Sequence, residues 1–238
     1  MDTSPWDGKA VVVTGVGQTG QAGETVARAF AELGATVYCI DRSGHANARA
    51  AELVARGLRA VGHAVDLTDF EAVRSLAQTI SDSHGGRIDA VAALAGGFGL
   101  SGPVAESDPQ VFAKQIAINA TSAYSTARAF VPAVRAAGGA FVFVTSAAVL
   151  GGGKVAGMSA YAMAKGALVQ LVRALAQEER PHGVRANAVA PTAIRTATNL
   201  QSMGADFRYV EREQLAETVV ALCGPAFARV TGQVFELA

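Results

Sequence analysis

Short apolar runs rich in β-branched residues recur along the chain and alternate with segments of helical period. The runs are typical of buried strands, predicted at Ala10–Thr14, Thr36–Ile40, Ala60–Val65, Ala90–Leu94, Ala140–Thr145, Arg185–Ala190 and Gln233–Leu237. The intervening periodicity predicts helices at Glu24–Leu33, Ala46–Arg56, Phe70–Asp82, Pro109–Ala137, Ser159–Arg180 and Glu213–Leu222. Because strands that alternate with helices imply right-handed crossovers, we expect an α/β fold with a doubly wound parallel seven-stranded sheet. No repeat or linker divides the pattern, so residues 1–238 are predicted to form a single domain.

Composition and charge limit the kind of partner. The chain has 238 residues, of which 50% are hydrophobic and 17% are charged, enough for a large core. Its 20 basic and 20 acidic residues balance, which argues against nucleic acid or an anionic membrane and favours a small molecule. Two cysteines and four dispersed histidines predict neither a disulfide framework nor a metal site. Since neither a signal-peptide pattern nor a bilayer-length apolar stretch is present, a cytoplasmic location is expected.

A glycine-rich turn follows the first predicted strand and precedes the first predicted helix. Its glycines, Gly15, Gly17, Gly20 and Gly23, would let the backbone turn sharply and approach a pyrophosphate at the helix N-terminus. A merely flexible connection would look similar. The strand before the turn and the helix after it favour dinucleotide binding and a Rossmann-like sheet.

Asp41 ends the second predicted strand, 18 residues after Gly23. A carboxylate at that place can accept hydrogen bonds from the adenosine ribose hydroxyls and would repel a 2′-phosphate, which favours NAD over NADP. Asp41 could also be an ordinary turn residue or helix cap, and the adjacent Arg42 could meet a 2′-phosphate instead. NAD is therefore the predicted cofactor, with NADP as the less favoured alternative.

Tyr161 and Lys165 stand four residues apart at the start of a long predicted helix, so their side chains share one face. An isolated phenol, with a pKa of about 10, is a poor acid–base catalyst at neutral pH, and a nearby ammonium favours the phenolate. The pair could therefore donate a proton to a developing alkoxide. The same spacing is also common on solvated helix faces.

The order of these features resembles the short-chain dehydrogenase/reductase family over essentially the whole chain. The resemblance rests on the glycine turn, Asp41, Asp66-Leu67 after the third strand, Ser146 after the fifth strand and the Tyr161/Lys165 pair. It implies an NAD(H)-dependent oxidoreductase that transfers hydride between the nicotinamide and a secondary alcohol or ketone.

The resemblance also implies roles for individual residues. Tyr161 would be the general acid/base, and Lys165 would lower the pKa of Tyr161 and hold the nicotinamide ribose. Ser146 would orient the substrate carbonyl, and Asn119, in the helix before the fifth strand, would hold a water in the proton relay. The remaining cofactor-binding residues would follow the third, fourth and sixth strands: Asp66, Leu67, Ala95, Gly96, Pro191, Ile194 and Thr196. Taken alone, Thr196 could also be a helix N-cap.

The sequence departs from the family pattern in four places, one of which is a Ser146–Tyr161 separation two residues longer than common. The glycine turn is two residues longer than the common form, so Gly20 only approximates the middle glycine. The family's Asn-Asn-Ala-Gly reads Ala93-Leu94-Ala95-Gly96, and Thr192 replaces the usual glycine after Pro191. None of these differences removes a reacting group.

Two other functions are compatible with the sequence. A weaker resemblance to the dihydropteridine-reductase-like branch, carried by Ala95-Gly96-Gly97 and the short 194–207 segment, implies a quinonoid dihydropteridine or another flat heterocycle as substrate. A nucleotide-binding scaffold of the same fold, without turnover, is the second alternative. The substrate pocket is predicted from residues 97–104, 150–158 and 193–207, within which a substrate loop spans about 193–210. Small residues on Pro109–Ala137 and Ser159–Arg180 match the family's subunit contacts, which implies a homotetramer or dimer.

Overall fold

The computed structural model describes residues 4–238; Met1–Thr3, which the single-domain prediction included, lie outside the described residues. Seven parallel strands pair in the order β3-β2-β1-β4-β5-β6-β7. The strands are β1 (Ala10–Thr14), β2 (Thr36–Asp41), β3 (Ala60–Ala64), β4 (Ala90–Ala93), β5 (Ala140–Val144), β6 (Arg185–Pro191) and β7 (Val234–Leu237). The predicted doubly wound parallel sheet is confirmed. The strand order changes direction between β1 and β4, and ligands of such sheets bind beside that point.

Helices cover both faces of the sheet. They are α1 (Ala22–Glu32), α2 (His45–Ala55), α3 (Phe70–Asp82), α4 (Pro109–Gln115), α5 (Ser122–Ala137), α6 (Ser159–Glu178), α7 (Ala197–Met203) and α8 (Arg212–Cys223). Side chains alternate along each buried strand: Val12 of β1 packs with α3, α5 and α6, whereas Val11 and Val13 pack with α1, α2 and α8. The sheet thus has one apolar core on each face, and the helices do not cover the ends of its strands.

The prediction of one regular helix over Pro109–Ala137 is wrong, because the structure interrupts it. A π-helical stretch, Ile116–Thr121, separates α4 from α5 and contains Asn119. A π-turn adds one residue to a helix that otherwise continues, and a shift of one position in the repeat still looks like a continuous helix in the sequence. Helix α7 was not predicted as a helix, although Thr196 caps it as anticipated by accepting a hydrogen bond from the Asn199 amide at 3.2 Å. Within residues 4–238, no helix is long and apolar enough to cross a membrane.

Candidate active site

A cavity of about 950 Å³ opens at the carboxyl ends of the strands, beside the β1/β4 switch point. The sequence predictions supply most of its lining: Gly15, Gly17, Gly23, Asp41, Arg42, Asp66, Leu67, Ala95, Gly96, Ser146, Tyr161, Lys165, Pro191, Ile194 and Thr196. Of the predicted site residues, Gly20 and Asn119 do not belong to that lining. The fold therefore gathers residues that follow six different strands into one place.

Three of the glycines are required by close approach of the backbone. A Cβ on Gly23 would lie 2.2 Å from the Gly15 carbonyl oxygen, and a Cβ on Gly15 would lie 2.8 Å from the Ala95 nitrogen. A Cβ on Gly17 would lie 3.3 Å from Oδ2 of Asp41 and would fill the space between the turn and that carboxylate. Since Gly15 also has a φ of +77°, side chains are excluded along this floor. The bare backbone before α1 fits a pyrophosphate at a helix N-terminus.

Gly20 differs from the other glycines of the turn. Its N–H donates to Oε2 of Glu24 at 2.7 Å, and its carbonyl accepts from the Ala197 amide at 3.1 Å. The extra length of the turn therefore points toward α7 and away from the cavity floor.

Two carboxylates define the end of the cavity next to β2 and β3. Asp41 accepts hydrogen bonds through Oδ1 from the Ser43 amide, at 2.8 Å, and from the Ser43 hydroxyl. Asp66 accepts through Oδ1 from the amide and hydroxyl of Thr68, at 2.9 and 2.7 Å, which hold the pKa of Asp66 below its usual value. Arg42 is exposed. These bonds fix both carboxylates where an adenosine would bind in such a sheet.

Lys165 is buried, with only 5% of its surface exposed, and its Nζ donates to the Val144 carbonyl at 2.8 Å. Burial lowers the pKa of Lys165 to about 8. The backbone of Lys165 is tied to the same strand end, because the Thr145 hydroxyl donates to its carbonyl at 2.8 Å. The ammonium is thus held at the end of β5, facing the cavity.

Tyr161 lies one turn before Lys165 on α6 and, like Ser146, lines the cavity. Burial raises the pKa of Tyr161, and the nearby Ser146 hydroxyl opposes that rise only in part. The sequence predicted the opposite direction, through the charge of Lys165. The difference arises because the phenol is largely removed from water, which penalises the phenolate. Ser146 in turn accepts a hydrogen bond from the Ala148 amide at 3.3 Å, which orients its hydroxyl.

The Asn119 side chain is fully engaged with backbone and with Gln115. Its Nδ2 donates to the Gly97 and Gln115 carbonyls at 3.0 and 3.1 Å, and to Oε1 of Gln115 at 3.1 Å. Its Oδ1 accepts from the Gly97 amide at 3.1 Å. A Cβ on Gly96 would lie 2.5 Å from that Oδ1. The amide therefore braces the loop after β4 from behind, and its role in a proton relay stays a prediction.

Several residues of the cavity were not singled out by the sequence. Phe98 is 61% exposed and meets the Tyr161 ring edge to face, with centroids 5.1 Å apart. Lys114 and Ile118, four residues apart around the π-stretch, also line this end. The predicted pocket segments 97–104 and 193–207 both contribute, whereas no residue of 150–158 is among the lining residues that the described part of the chain provides. Instead the Gly157 carbonyl accepts from the amides of Ser101 and Gly102, so that segment supports the β4 loop.

Comparisons with known proteins find relatives along nearly the whole chain. A family model described as "Enoyl-(Acyl carrier protein) reductase" matches residues 15–237. A tropinone reductase homologue from Arabidopsis thaliana is 31% identical over 96% of this chain and 90% of the relative. A (5R,7aS)-5-hydroxy-7a-methyl-1-oxo-2,3,5,6,7,7a-hexahydro-1H-indene-carboxyl-CoA reductase from Mycobacterium tuberculosis is 32% identical over 97% of this chain and 92% of the relative.

The solved structures lead to the same class. A Beutenbergia cavernae protein, provisionally assigned as an NAD(P)-dependent gluconate 5-dehydrogenase and holding NADP at low occupancy, has a TM-score of 0.86 and 28% identity. The match covers 97% of this chain and 95% of that chain. Fold, site and relatives together define an oxidoreductase, and the chain belongs to the short-chain dehydrogenase/reductase family.

Proposed function

We propose that the protein interconverts a secondary alcohol and a ketone with NAD(H), and that Tyr161 is the general acid/base. The observation that carries the proposal is the arrangement at the ends of β5 and α6. There the Tyr161 phenol and the Ser146 hydroxyl line the same wall of the cavity, beside the buried Lys165 ammonium. A proton donor, an oriented hydroxyl and a fixed positive charge meet at one point, as carbonyl reduction requires.

The cavity fits a nicotinamide dinucleotide at both ends. Gly15, Gly17 and Gly23 would hold the pyrophosphate, Lys165 would hold the nicotinamide ribose, and the Ile194 and Thr196 region would hold the carboxamide. Asp41 supports NAD over NADP, because its carboxylate faces the turn at the adenosine end and would repel a 2′-phosphate. When bound, the nicotinamide supplies or accepts the hydride.

The residues of the chain then handle the proton and the oxygen of the substrate. In reduction, the Tyr161 hydroxyl donates its proton to the substrate oxygen while the Ser146 hydroxyl donates a hydrogen bond to the same atom. The raised pKa of Tyr161 keeps the phenol protonated at neutral pH. In oxidation, the phenolate must take the hydroxyl proton. The neighbouring positive charge of Lys165 then stabilises the phenolate, since opposite charges close together favour the ionised form.

Replacing Tyr161 by phenylalanine tests the proposal. Tyr161→Phe removes the phenolic proton and should lower kcat by about 10²-fold or more, as expected for loss of a general acid. The assay is steady-state turnover of a panel of ketones, alcohols and quinonoid dihydropterins, with NADH binding measured in parallel. Tyr38→Phe is the matched control, because its hydroxyl bonds Ser83 and His84 just after α3 and Tyr38 is not among the residues that line the cavity. Unchanged turnover in Tyr161→Phe would leave a nucleotide-binding scaffold as the better description.

Cofactor choice is tested by titration. NADH should bind more tightly than NADPH. Asp41→Ala should reduce the ratio of the two dissociation constants, because the carboxylate that repels the 2′-phosphate of NADPH is gone. Binding is followed by quenching of the single tryptophan or by calorimetry. Tighter binding of NADPH to the unaltered protein would contradict the assignment of NAD.

A quinonoid dihydropteridine is the second candidate substrate. The exposed Phe98 ring next to Tyr161 offers an aromatic face for a flat heterocycle, on which a pterin could stack. In that reaction Tyr161 would protonate a ring nitrogen. Turnover of dihydropterins without turnover of any ketone in the same panel would select this substrate.

A second copy of the chain is the proposed protein partner. Helices α5 and α6 share an outward cleft of about 290 Å³ lined by Ala120, Thr121, Tyr124, Ala167, Leu168 and Leu171. Tyr124 is 52% exposed, although the cleft is mostly apolar. Small side chains on both helices would let the same helices of a partner approach closely, in a dimer or a tetramer.

A further inference from the structure

The glycine turn, residues 15–23, is two residues longer than the common family form, and the proposed chemistry gives the extra length no role. Gly15, Gly17 and Gly23 already form the bare backbone floor of the cavity. Between them, Gln18, Thr19 and Gly20 are not part of the cavity lining, whereas Gln21 lines the cavity at the place where it contacts α7. The part of the protein that the extension contacts is the substrate side of the cavity.

The contact is with the first turn of α7. The Gly20 carbonyl accepts from the Ala197 amide at 3.1 Å, and Nε2 of Gln21 donates to the Thr198 hydroxyl at 3.0 Å. The Ala197 amide is one of the N–H groups that a helix N-terminus leaves without an intrahelical partner, so the turn satisfies it. Gly20 has a φ of +79°, and a Cβ there would lie 3.3 Å from the Ala197 Cβ. The turn at Gly20 and the first residue of α7 are therefore closely packed.

The turn is held from its other side by α2. Arg49 of α2 donates to the Thr19 hydroxyl and, at 2.5 Å, to Oε1 of Glu52. The Arg49 side chain is only 13% exposed. Thr19 is thus held next to Gly20 and Gln21, which contact α7. The extension therefore connects α2 with α7.

Among the described residues, the other hydrogen bonds of the substrate segment, residues 193–210, stay within the segment, apart from the Arg195–Glu211 ion pair. The Val210 amide donates to the Ala193 carbonyl at 2.7 Å, and the Arg195 amide donates to the Val210 carbonyl at 2.9 Å. Tyr209 closes the far end of α7 by donating to the Gly204 carbonyl at 2.6 Å. Among the hydrogen bonds that the described residues give to α7, the two that leave the segment both end on Gly20 and Gln21.

We propose that the extended glycine turn is a positioning element for the substrate segment, and that Gln21 is a positioning residue for the alcohol or ketone. The inference rests on the proposed function, because it requires the dinucleotide to bind the turn. Once the turn is fixed, α7 is held through Gly20 and Gln21, and with it the cavity-lining Thr196, Asn199 and Ser202. Cofactor binding thereby prepares the substrate half of the cavity.

Hydrogen–deuterium exchange tests this coupling with a readout other than turnover. NADH at saturation should slow exchange in residues 15–23 and also in 197–203. In Gln21→Ala and in Thr198→Val, the factor by which NADH slows exchange in residues 197–203 should be about 3-fold smaller, the size expected for one hydrogen bond. The factor by which NADH slows exchange in residues 15–23 should stay unchanged. The KM for the best ketone should rise by a similar factor in both variants, with kcat changed less than twofold. The double variant should show no additional loss, because both changes remove the same bond.

Gln78→Ala is the matched control, since Gln78 is an exposed glutamine bonded only to Asp82 of its own helix α3. It should leave exchange and KM unchanged. Equal slowing of 197–203 by NADH in the unaltered protein and both variants would overturn the inference. So would fully additive effects in the double variant. Failure of NADH to slow 15–23 in the unaltered protein would instead contradict the proposed cofactor, which separates the two results.

Discussion

At the scale of single residues, the site is defined by how burial changes protonation. Burial raises the pKa of the Tyr161 phenol and lowers that of the Lys165 ammonium to about 8, which shifts both groups toward their neutral forms but leaves Lys165 mostly charged at pH 7. A neutral phenol is the form that donates a proton, whereas a charged ammonium is needed to stabilise the phenolate. The proton donor is thus available over a wide pH range, and the supporting charge is lost as the pH rises through about 8.

The buried Lys165 should cost the protein stability. Its pKa is about 8 in the folded protein against 10.5 ordinarily, so between these values the unfolded chain binds more protons and stability rises with pH. Lys165→Met should therefore increase the free energy of unfolding at pH 7 by on the order of 2 kcal/mol, after loss of the bond to Val144. Urea unfolding at several pH values measures it. The gain should shrink from pH 8 to 10.5 and activity should be lost.

Lys154→Met is the control for this experiment, because Lys154 is exposed in the loop after β5. Its stability should match that of the unaltered protein at every pH. A lower stability of Lys165→Met at pH 7 would mean that the hydrogen bond to Val144 outweighs the desolvation of the ammonium.

At the scale of elements, the close fit of the turn against α1 makes Gly23 the most tightly enclosed glycine of the turn. In Gly23→Ala the new methyl group would meet the Gly15 carbonyl, which is backbone and cannot rotate away. We expect a loss of about 1–3 kcal/mol in the free energy of unfolding and more than 10-fold weaker NADH binding. Gly151→Ala is the control, since a Cβ on Gly151 meets nothing within 4 Å. Similar stability of the two variants would show that α1 can shift at little cost.

The sequence predicted the elements of the sheet and the residues that follow its strands, because alternation of period and turn chemistry are local signals. It did not predict the π-stretch around Asn119, since a shift of one position in the helical repeat still looks like a continuous helix in the sequence. Nor did it predict α7, a seven-residue helix whose N-terminal hydrogen bonds come partly from Gly20 and Gln21, far away in the chain. The direction of the Tyr161 pKa shift also depends on burial, which only the packed structure contains.

At the scale of the whole molecule, the outward face of α5 and α6 leaves large apolar side chains exposed, among them Tyr124 and Met163. This face is separate from the cavity, which opens at the strand ends. Met163 is 59% exposed and lies between Tyr161 and Lys165 along α6, so the proposed catalytic residues and the exposed face belong to one helix. A partner bound there would stabilise the helix that carries the proposed catalytic pair.

Ala167→Glu tests whether that face is an interface between copies. Ala167 lines the α5/α6 cleft, and an added carboxylate would be buried against an apolar partner without a counter-charge. We expect the unaltered protein to sediment as a dimer or tetramer and the variant to shift to a smaller species, with the dissociation constant raised by about 10²-fold or more. Ala48→Glu, on the exposed side of α2, is the matched control and should keep the mass of the unaltered protein. If Ala167→Glu also keeps that mass, the copies associate through another surface and the exposed face of α6 needs a different explanation.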